Sequence, residues 1–170
     1  YSATLNPPAD TIEKGQLKLS FEGQGKMEID FISLFPSDTW KNRPGGLRAD
    51  LVQALADLKP GFVRFPGGCV VEGRTLNERY QWKKTLGNTD ERKTMVNRWN
   101  MEFSHKLTPD YFQSYGVGFY EYFQLSEDLH AEPLPILNCG MACQYNTAEL
   151  AELSDMQPYI DDALDLIEFA

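Results

Sequence analysis

The sequence predicts an α/β chain in which parallel strands are joined by helical crossovers, preceded by a short stretch of antiparallel strand. Two observations lead there. From Gln16 to Phe35 apolar and polar residues alternate with a period of two. From Leu47 onward the period becomes helical, and the order helix–strand–helix–strand–helix demands parallel strands with crossovers. Residue patterns alone leave a doubly wound sheet and a closed (β/α)8 barrel both open. In either, function gathers at the C-terminal ends of the strands.

The elements follow in order. In "QLKLSF" Leu17, Leu19 and Phe21 alternate with Lys18 and Ser20, and in "KMEIDFISLF" Met27, Ile29 and Phe31 alternate with Glu28 and Asp30. "EGQG" between them reads as a hairpin turn. Residues 1–35 are therefore expected to be the closing strands of a β-sandwich, since two or three strands alone are marginal. "LRADLVQALADL" places Leu47, Leu51, Leu55 and Leu58 on one helical stripe, ended by Pro60. "FVRF", Phe62 to Phe65, is a short strand, and "PGG" stops it. A long loop rich in Arg, Trp and Tyr follows. Val117–Leu129 is a second helix, "LPILNCG" a second strand with Leu134, Ile136 and Leu137, and "PYIDDALDLIEFA" a third helix. In the third helix Pro158 suits the first turn, and Ile160, Ala163, Leu164 and Ile167 form the stripe. Two crossover units do not close a barrel, so the chain is expected to be part of a larger enzyme.

Composition narrows the partners. The chain has 170 residues, is 42% hydrophobic and 12% aromatic, and carries a net charge of −9. That charge argues against nucleic acid, which selects a basic face. No apolar run reaches the ~20 residues that span a bilayer as a helix. The three cysteines, Cys69, Cys139 and Cys143, are too few and odd in number for a disulfide framework. With His105 and His130 they are scattered; a zinc site would have to be assembled from these distant residues, so buried thiols are the expectation against it, with no metal and no cofactor.

Candidate site residues lie at the two strand ends, Pro66-Gly67-Gly68 and Asn138-Cys139-Gly140. "GGCVVEG" lacks the three spaced glycines of a dinucleotide loop. Arg64 sits inside an apolar strand, so it needs partners there: a structural ion pair with a neighbouring strand, support for a catalytic carboxylate, or both. Glu72 follows in the loop, as a solvated or capping group or as part of the site. Asn77-Glu78 has no apolar strand before it and reads as a decoy for the Asn-Glu pair of sugar-cleaving barrels. Tyr80, Trp82, Trp99 and Tyr111 either stack on sugar faces or pack the loop as a mini-core.

Long ordered motifs carry a resemblance. "SLFPSDTWKNRPGGLRADLVQALADLKPGFVRFPGGCVVEG", "YQWKKTLG", "GFYEYFQLSEDLHAEPLPILNCGMACQ" and "DDALDLIEFA" resemble the α-L-arabinofuranosidases of glycoside hydrolase family 51, in the larger plant and gut-bacterial subtype. The resemblance implies a partial (β/α)8 barrel, with residues 36–170 carrying about strands two and three and residues 1–35 ending an inserted carbohydrate-binding-like sandwich. It implies a retaining hydrolase acting on arabinose-decorated plant polysaccharides. The family's two catalytic Glu, after strands four and seven, lie outside this chain, so no catalytic residue is expected in it. Arg64 matches the family's strand-two Arg near the nucleophile. Cys69 stands where many members have an Asn that contacts sugar, and Trp99 corresponds to a loop aromatic beside the arabinose site. The substrate-binding or supporting set is thus Arg64, Gly67, Gly68, Cys69, Glu72, Trp99 and Asn138. The resemblance points to an extracellular or periplasmic setting. Open strand edges imply self-association, or a complementary chain from the same parent.

Overall fold

The computed structural model describes residues 2–6, 15–101 and 112–170. They divide into two compact units, Tyr1–Ile32 and Ser33–Ala170, each described by itself. In the first unit, residues 15–32 form neither strand nor helix, and every one of them is exposed. The expected hairpin is not formed. Period-two alternation supplies an apolar face, but two strands gain little until a third strand or a covering layer buries it. Among the described residues nothing covers Leu17, Leu19, Phe21, Met27 or Ile29.

The second unit has the expected order. Helix α1 is Ala49–Asp57, strand β1 is Phe62–Phe65, helix α3 is Phe119–Asp128, strand β4 is Glu132–Pro135 and helix α4 is Gln157–Phe169. Strands β1 and β4 pair in parallel, Phe62 opposite Glu132 through Phe65 opposite Pro135. Two flanking bonds lengthen the ladder, Glu132 N to Gly61 O at 3.0 Å and Ile136 N to Phe65 O at 2.7 Å. The second strand thus begins two residues earlier than its apolar run and ends before Ile136.

Which helix faces are buried differs from the sequence reading. On α1 the buried side chain is Val52, packed with Leu125, Leu129 and Ala131, while Leu47 and Ala56 flank it. Leu51, Leu55 and Leu58 of the expected stripe are exposed. Val52 and Ala56 are four apart and share a face, and that is the face α3 meets. On α4 Leu166 is buried, whereas Ile160, Leu164 and Ile167 face outward. Both helices are therefore apolar on a second side that the described residues do not cover.

The loop after β1 is packed. It contains a one-turn helix α2 (Cys69–Glu72), 3-10 turns at Leu76–Glu78, Trp82–Thr85 and Arg98–Met101, and a two-residue antiparallel ladder of β2 (Met95–Val96) with β3 (Phe112–Gln113). Tyr80, Trp82 and Tyr115 join Phe65, Phe119 and Leu166 in one core. Tyr80 and Trp82 are thus mini-core residues and not open stacking faces; Tyr111 and His105 lie outside the described residues. Thr85, fully buried, donates to Trp82 O at 2.7 Å and accepts from Phe119 N at 3.0 Å, capping α3 from the loop. Arg92 completes the tie with bonds to Glu121 at 2.8 and 3.0 Å and to Tyr115 O at 2.8 Å.

At the other end of α3, Asp128 places a carboxylate where the helix dipole is negative, so it needs cations. Lys41 Nζ lies 2.6 Å from Oδ1, and Arg43 grips both oxygens, with Nη2 at 2.9 Å. The Asp128 side chain is only 2% exposed. The Arg43 hydrogen bond, against the opposing effect of burial, holds its carboxyl below the usual carboxylate range. A folded-state pKa below the unfolded one adds stability above the unfolded value, about 3.9, and that stability is lost as pH falls through the folded value. Asp128→Asn is expected to cost about 1–2 kcal/mol at pH 7 and less at pH 3. Urea unfolding at both pH values checks this, and an equal loss at both would contradict it.

Candidate functional site at the strand ends

The end of β1 sets the site. Phe65 is followed by a cis peptide to Pro66 and then by two glycines with left-handed backbones, Gly67 at φ 75° and Gly68 at φ 64°. Gly67 is required by its backbone, because its φ disfavours a side chain. A Cβ there would sit 2.7 Å from Cζ and Nη1 of Arg64, the movable end of an exposed side chain. The Arg64 guanidinium folds back over this bare backbone. Arg64 is exposed and has no ion-pair partner among the described residues. Among the described residues β1 pairs with one strand, β4, and Leu134 stands opposite Arg64, so the structural ion pair is not formed there; the supporting role at a carboxylate stays open.

Asn138, just past β4, bolts the two strand ends together. Its amide nitrogen donates to Val71 O and Met141 O, both at 2.9 Å, and its oxygen accepts from Gly140 N at 2.7 Å and Met141 N at 3.2 Å. The result is a cavity of about 240 Å³ bordered by Arg64, Gly68, Glu72, Asn138, Cys139 and Met141. Glu72 is the one carboxylate on its wall.

Beside it lies a second cluster. Cys69 and Glu72 share a face of α2, and Cys143 meets them, so that the two sulfurs and a carboxylate oxygen lie within 4.8 Å of one another. Cys143 is held there by its own N–H to Gly73 O at 3.0 Å. Arg98 Nε donates to Cys143 Sγ at 3.2 Å, and its guanidinium lies 5.2 Å from the Trp99 ring centre. Burial first, and the neighbouring Cys143 next, push the Cys69 thiol up. Six of the seven expected residues, Arg64, Gly67, Gly68, Cys69, Glu72 and Asn138, therefore meet at one end of the sheet. Trp99 lies beside Arg98, which in turn meets Cys143. Sequence reasoning missed Arg98 and the meeting of Cys143 with Cys69; of the three cysteines expected as buried thiols, Cys143 is buried, Cys69 is half-buried, and Cys139 is exposed and outside the cluster. Glu78 of the supposed decoy pair is clasped by Arg74 through two bonds of 2.9 Å, a structural role.

The family model for the Alpha-L-arabinofuranosidase 1 domain matches residues 54–170, from α1 through both strands to the end of α4. The chain belongs to the α-L-arabinofuranosidase family. It is similar to the extracellular exo-α-L-arabinofuranosidase of Streptomyces chartreusis, at 41% identity over 100% of this chain and 20% of that protein. α-L-Arabinofuranosidase 1 of Arabidopsis thaliana is 37% identical over 94% of this chain and 21% of its own length. The arabinose-bound structure of the MgGH51 α-L-arabinofuranosidase superposes with a TM-score of 0.67 at 36% identity, covering 78% of this chain and 19% of that one. The chain thus spans about a fifth of the length of these relatives.

The contact between Arg64 and Gly67 gives a direct check. In Gly67→Ala the methyl meets the guanidinium, the far end of an exposed side chain that can swing aside, so the loss comes from the left-handed backbone and should be nearly the same when Arg64 is already Ala. A double-mutant cycle of denaturant unfolding is expected to return a coupling below about 0.5 kcal/mol. A larger coupling would show that the guanidinium is fixed over Gly67.

Proposed function

We propose that this chain forms part of the catalytic barrel of a retaining α-L-arabinofuranosidase that removes terminal α-L-arabinofuranosyl residues from plant polysaccharides such as arabinan and arabinoxylan. In this reading residues 36–170 supply the second and third barrel strands, β1 and β4, with their helices. Residues 1–35 end an inserted carbohydrate-binding-like sandwich. The observation that carries it is the coincidence of the family match with a parallel crossover whose strand ends collect Arg64, Gly68 and Asn138 at one cavity. The outward leucines of α1 and the outward isoleucines of α4 support it, because barrel helices pack against neighbours on both flanks.

The chemistry assigns this chain a supporting part. Retaining cleavage needs two carboxyl groups about 5–5.5 Å apart, one as acid/base and one as nucleophile. By the family resemblance both come from strands outside this chain. Arg64, a guanidinium exposed at the strand end, faces where an ionised nucleophile would lie and stabilises its charge. The Gly67-Gly68 turn lets the backbone approach the sugar closely, and Asn138 fixes the relative position of the two strand ends.

In the whole enzyme that carries this chain, hydrolysis of an aryl α-L-arabinofuranoside with retention is the expected activity. Arg64→Ala is expected to lower kcat by roughly an order of magnitude or more in a protein that still folds. The 170-residue chain alone should give no turnover above background. Unchanged kcat in the folded variant would remove Arg64 from the site, and a whole protein inert on arabinofuranosides would refute the reading.

The uncovered faces lead to a second test. Phe62 is 59% and Leu134 44% exposed on the strands, and Leu51 is 55% and Ile167 74% exposed on the helices. Such faces and unpaired edges drive association. Size-exclusion chromatography with light scattering should find the isolated chain self-associated; a compact monomer with a cooperative thermal transition would contradict this.

A further inference from the structure

We infer that Cys69, Glu72 and Cys143 form a binding site for one thiophilic divalent cation, zinc above others. The inference goes beyond the glycosidase reading and does not rest on it. Cys69 and Glu72 open and close the single turn of α2, three residues apart and so on one face. Cys143 comes from the segment after β4. Their ligand atoms already lie within 4.8 Å of one another. A tetrahedral zinc ion with Zn–S of about 2.3 Å separates its ligand atoms by about 3.3–3.8 Å. Small side-chain adjustments close that gap.

The backbone holds the three residues in place without any ion. Cys143 N donates to Gly73 O at 3.0 Å, directly after α2, and Cys143 O accepts from Asn146 N at 2.9 Å and Ala148 N at 3.2 Å. Asn138 pins Val71, inside α2, to the far side of the same loop. The cluster is therefore built by the fold.

Two observations point to a cation. Glu72 Oε2 is buried and has no hydrogen-bond partner among the described residues. A carboxylate oxygen left so is costly unless something positive meets it. Charge also closes. Two thiolates and one carboxylate carry three negative charges. A divalent ion together with Arg98, whose Nε sits 3.2 Å from Cys143 Sγ, carries three positive ones. Only Cys143 is fully buried, with Cys69 and Glu72 half-buried, and the opposite charges lower the cost of gathering the three ligands there. Two soft sulfurs and one oxygen select zinc over calcium or magnesium, which take oxygen ligands. Glu72 also borders the 240 Å³ cavity, so the fourth position opens toward it for a water.

The test uses the whole protein that carries this chain, stripped with a chelator and kept reduced. Zinc is titrated in competition with a chromophoric chelator, and Co²⁺ substitution reports thiolate ligation through its sulfur-to-metal charge-transfer absorption. One equivalent per chain with that absorption is expected. Cys143→Ser, Cys69→Ser and Glu72→Gln are each expected to weaken zinc at least tenfold, while Cys139→Ser leaves it unchanged. Should Cys143→Ser fail to fold by circular dichroism, the Cys69 and Glu72 variants decide. No binding, Co²⁺ binding without thiolate absorption, or binding that survives these substitutions would overturn the site and leave the pair as buried thiols.

Discussion

The ring of Phe65 is the contact on which the rest of the second unit depends. It is the last residue of β1, 2% exposed, stacked on Tyr122 at 4.9 Å and edge-on to Phe119 and Phe123, each at 5.3 Å. Aromatic pairs of this kind add about 0.5–1.5 kcal/mol each beyond burial. Three rings of one helix thus fix the end of one strand. Phe65 O also accepts from Ile136 N, so the same residue sets where β4 leaves the ladder. Pro66, Gly67 and Gly68 follow at once. Arg64 and Gly68 at the cavity mouth thus lie within three residues of that packed ring.

The long loop is held by a different kind of contact. Its aromatic residues fill the space beside Phe119, but its register comes from polar groups that nothing else could satisfy. Thr85 serves Trp82 and Phe119 at once, and Gly118 passes so close that a Cβ there would meet Thr85 O at 2.2 Å. Glu121 accepts from Gly118 N at 2.7 Å while holding Arg92. Buried polar groups of this sort cost little only when each is matched. The loop consequently has one way to lie on α3, and it carries Arg98 toward Cys143.

Much of this was legible in the sequence, and the part that was not shares one cause. Strands, crossovers and strand-end residues such as Arg64, Gly67 and Asn138 follow from periodicity and from where chain breakers fall, which are local properties. Which face a helix buries is not local: Leu51, Leu55 and Leu58 make a better stripe than Val52 and Ala56, yet α3 sits on the latter. The same holds for residues 17–31, whose alternation is clear but whose pairing needs a layer that the pattern cannot supply. Tyr80 and Trp82 could be read as sugar platforms because composition does not say what lies above a ring. The meeting of Cys69 with Cys143 depends on one backbone bond to Gly73, which no spacing reveals.

Asn138 shows how such a scaffold limits its own variation. One amide donates to two carbonyls and accepts from two N–H groups, and its partners belong to α2 and to the turn after β4. A carboxylate of the same shape has no hydrogen to give Val71 O and Met141 O, and a shorter amide-free side chain reaches neither. The position is therefore spoken for by the main chain, whatever molecule occupies the cavity beside it. Variation at this end of the sheet has to run through neighbours whose side chains carry no such duty, Cys139 and Met141 among them, so that the lining of the cavity can drift while the link between the two strand ends stays the same.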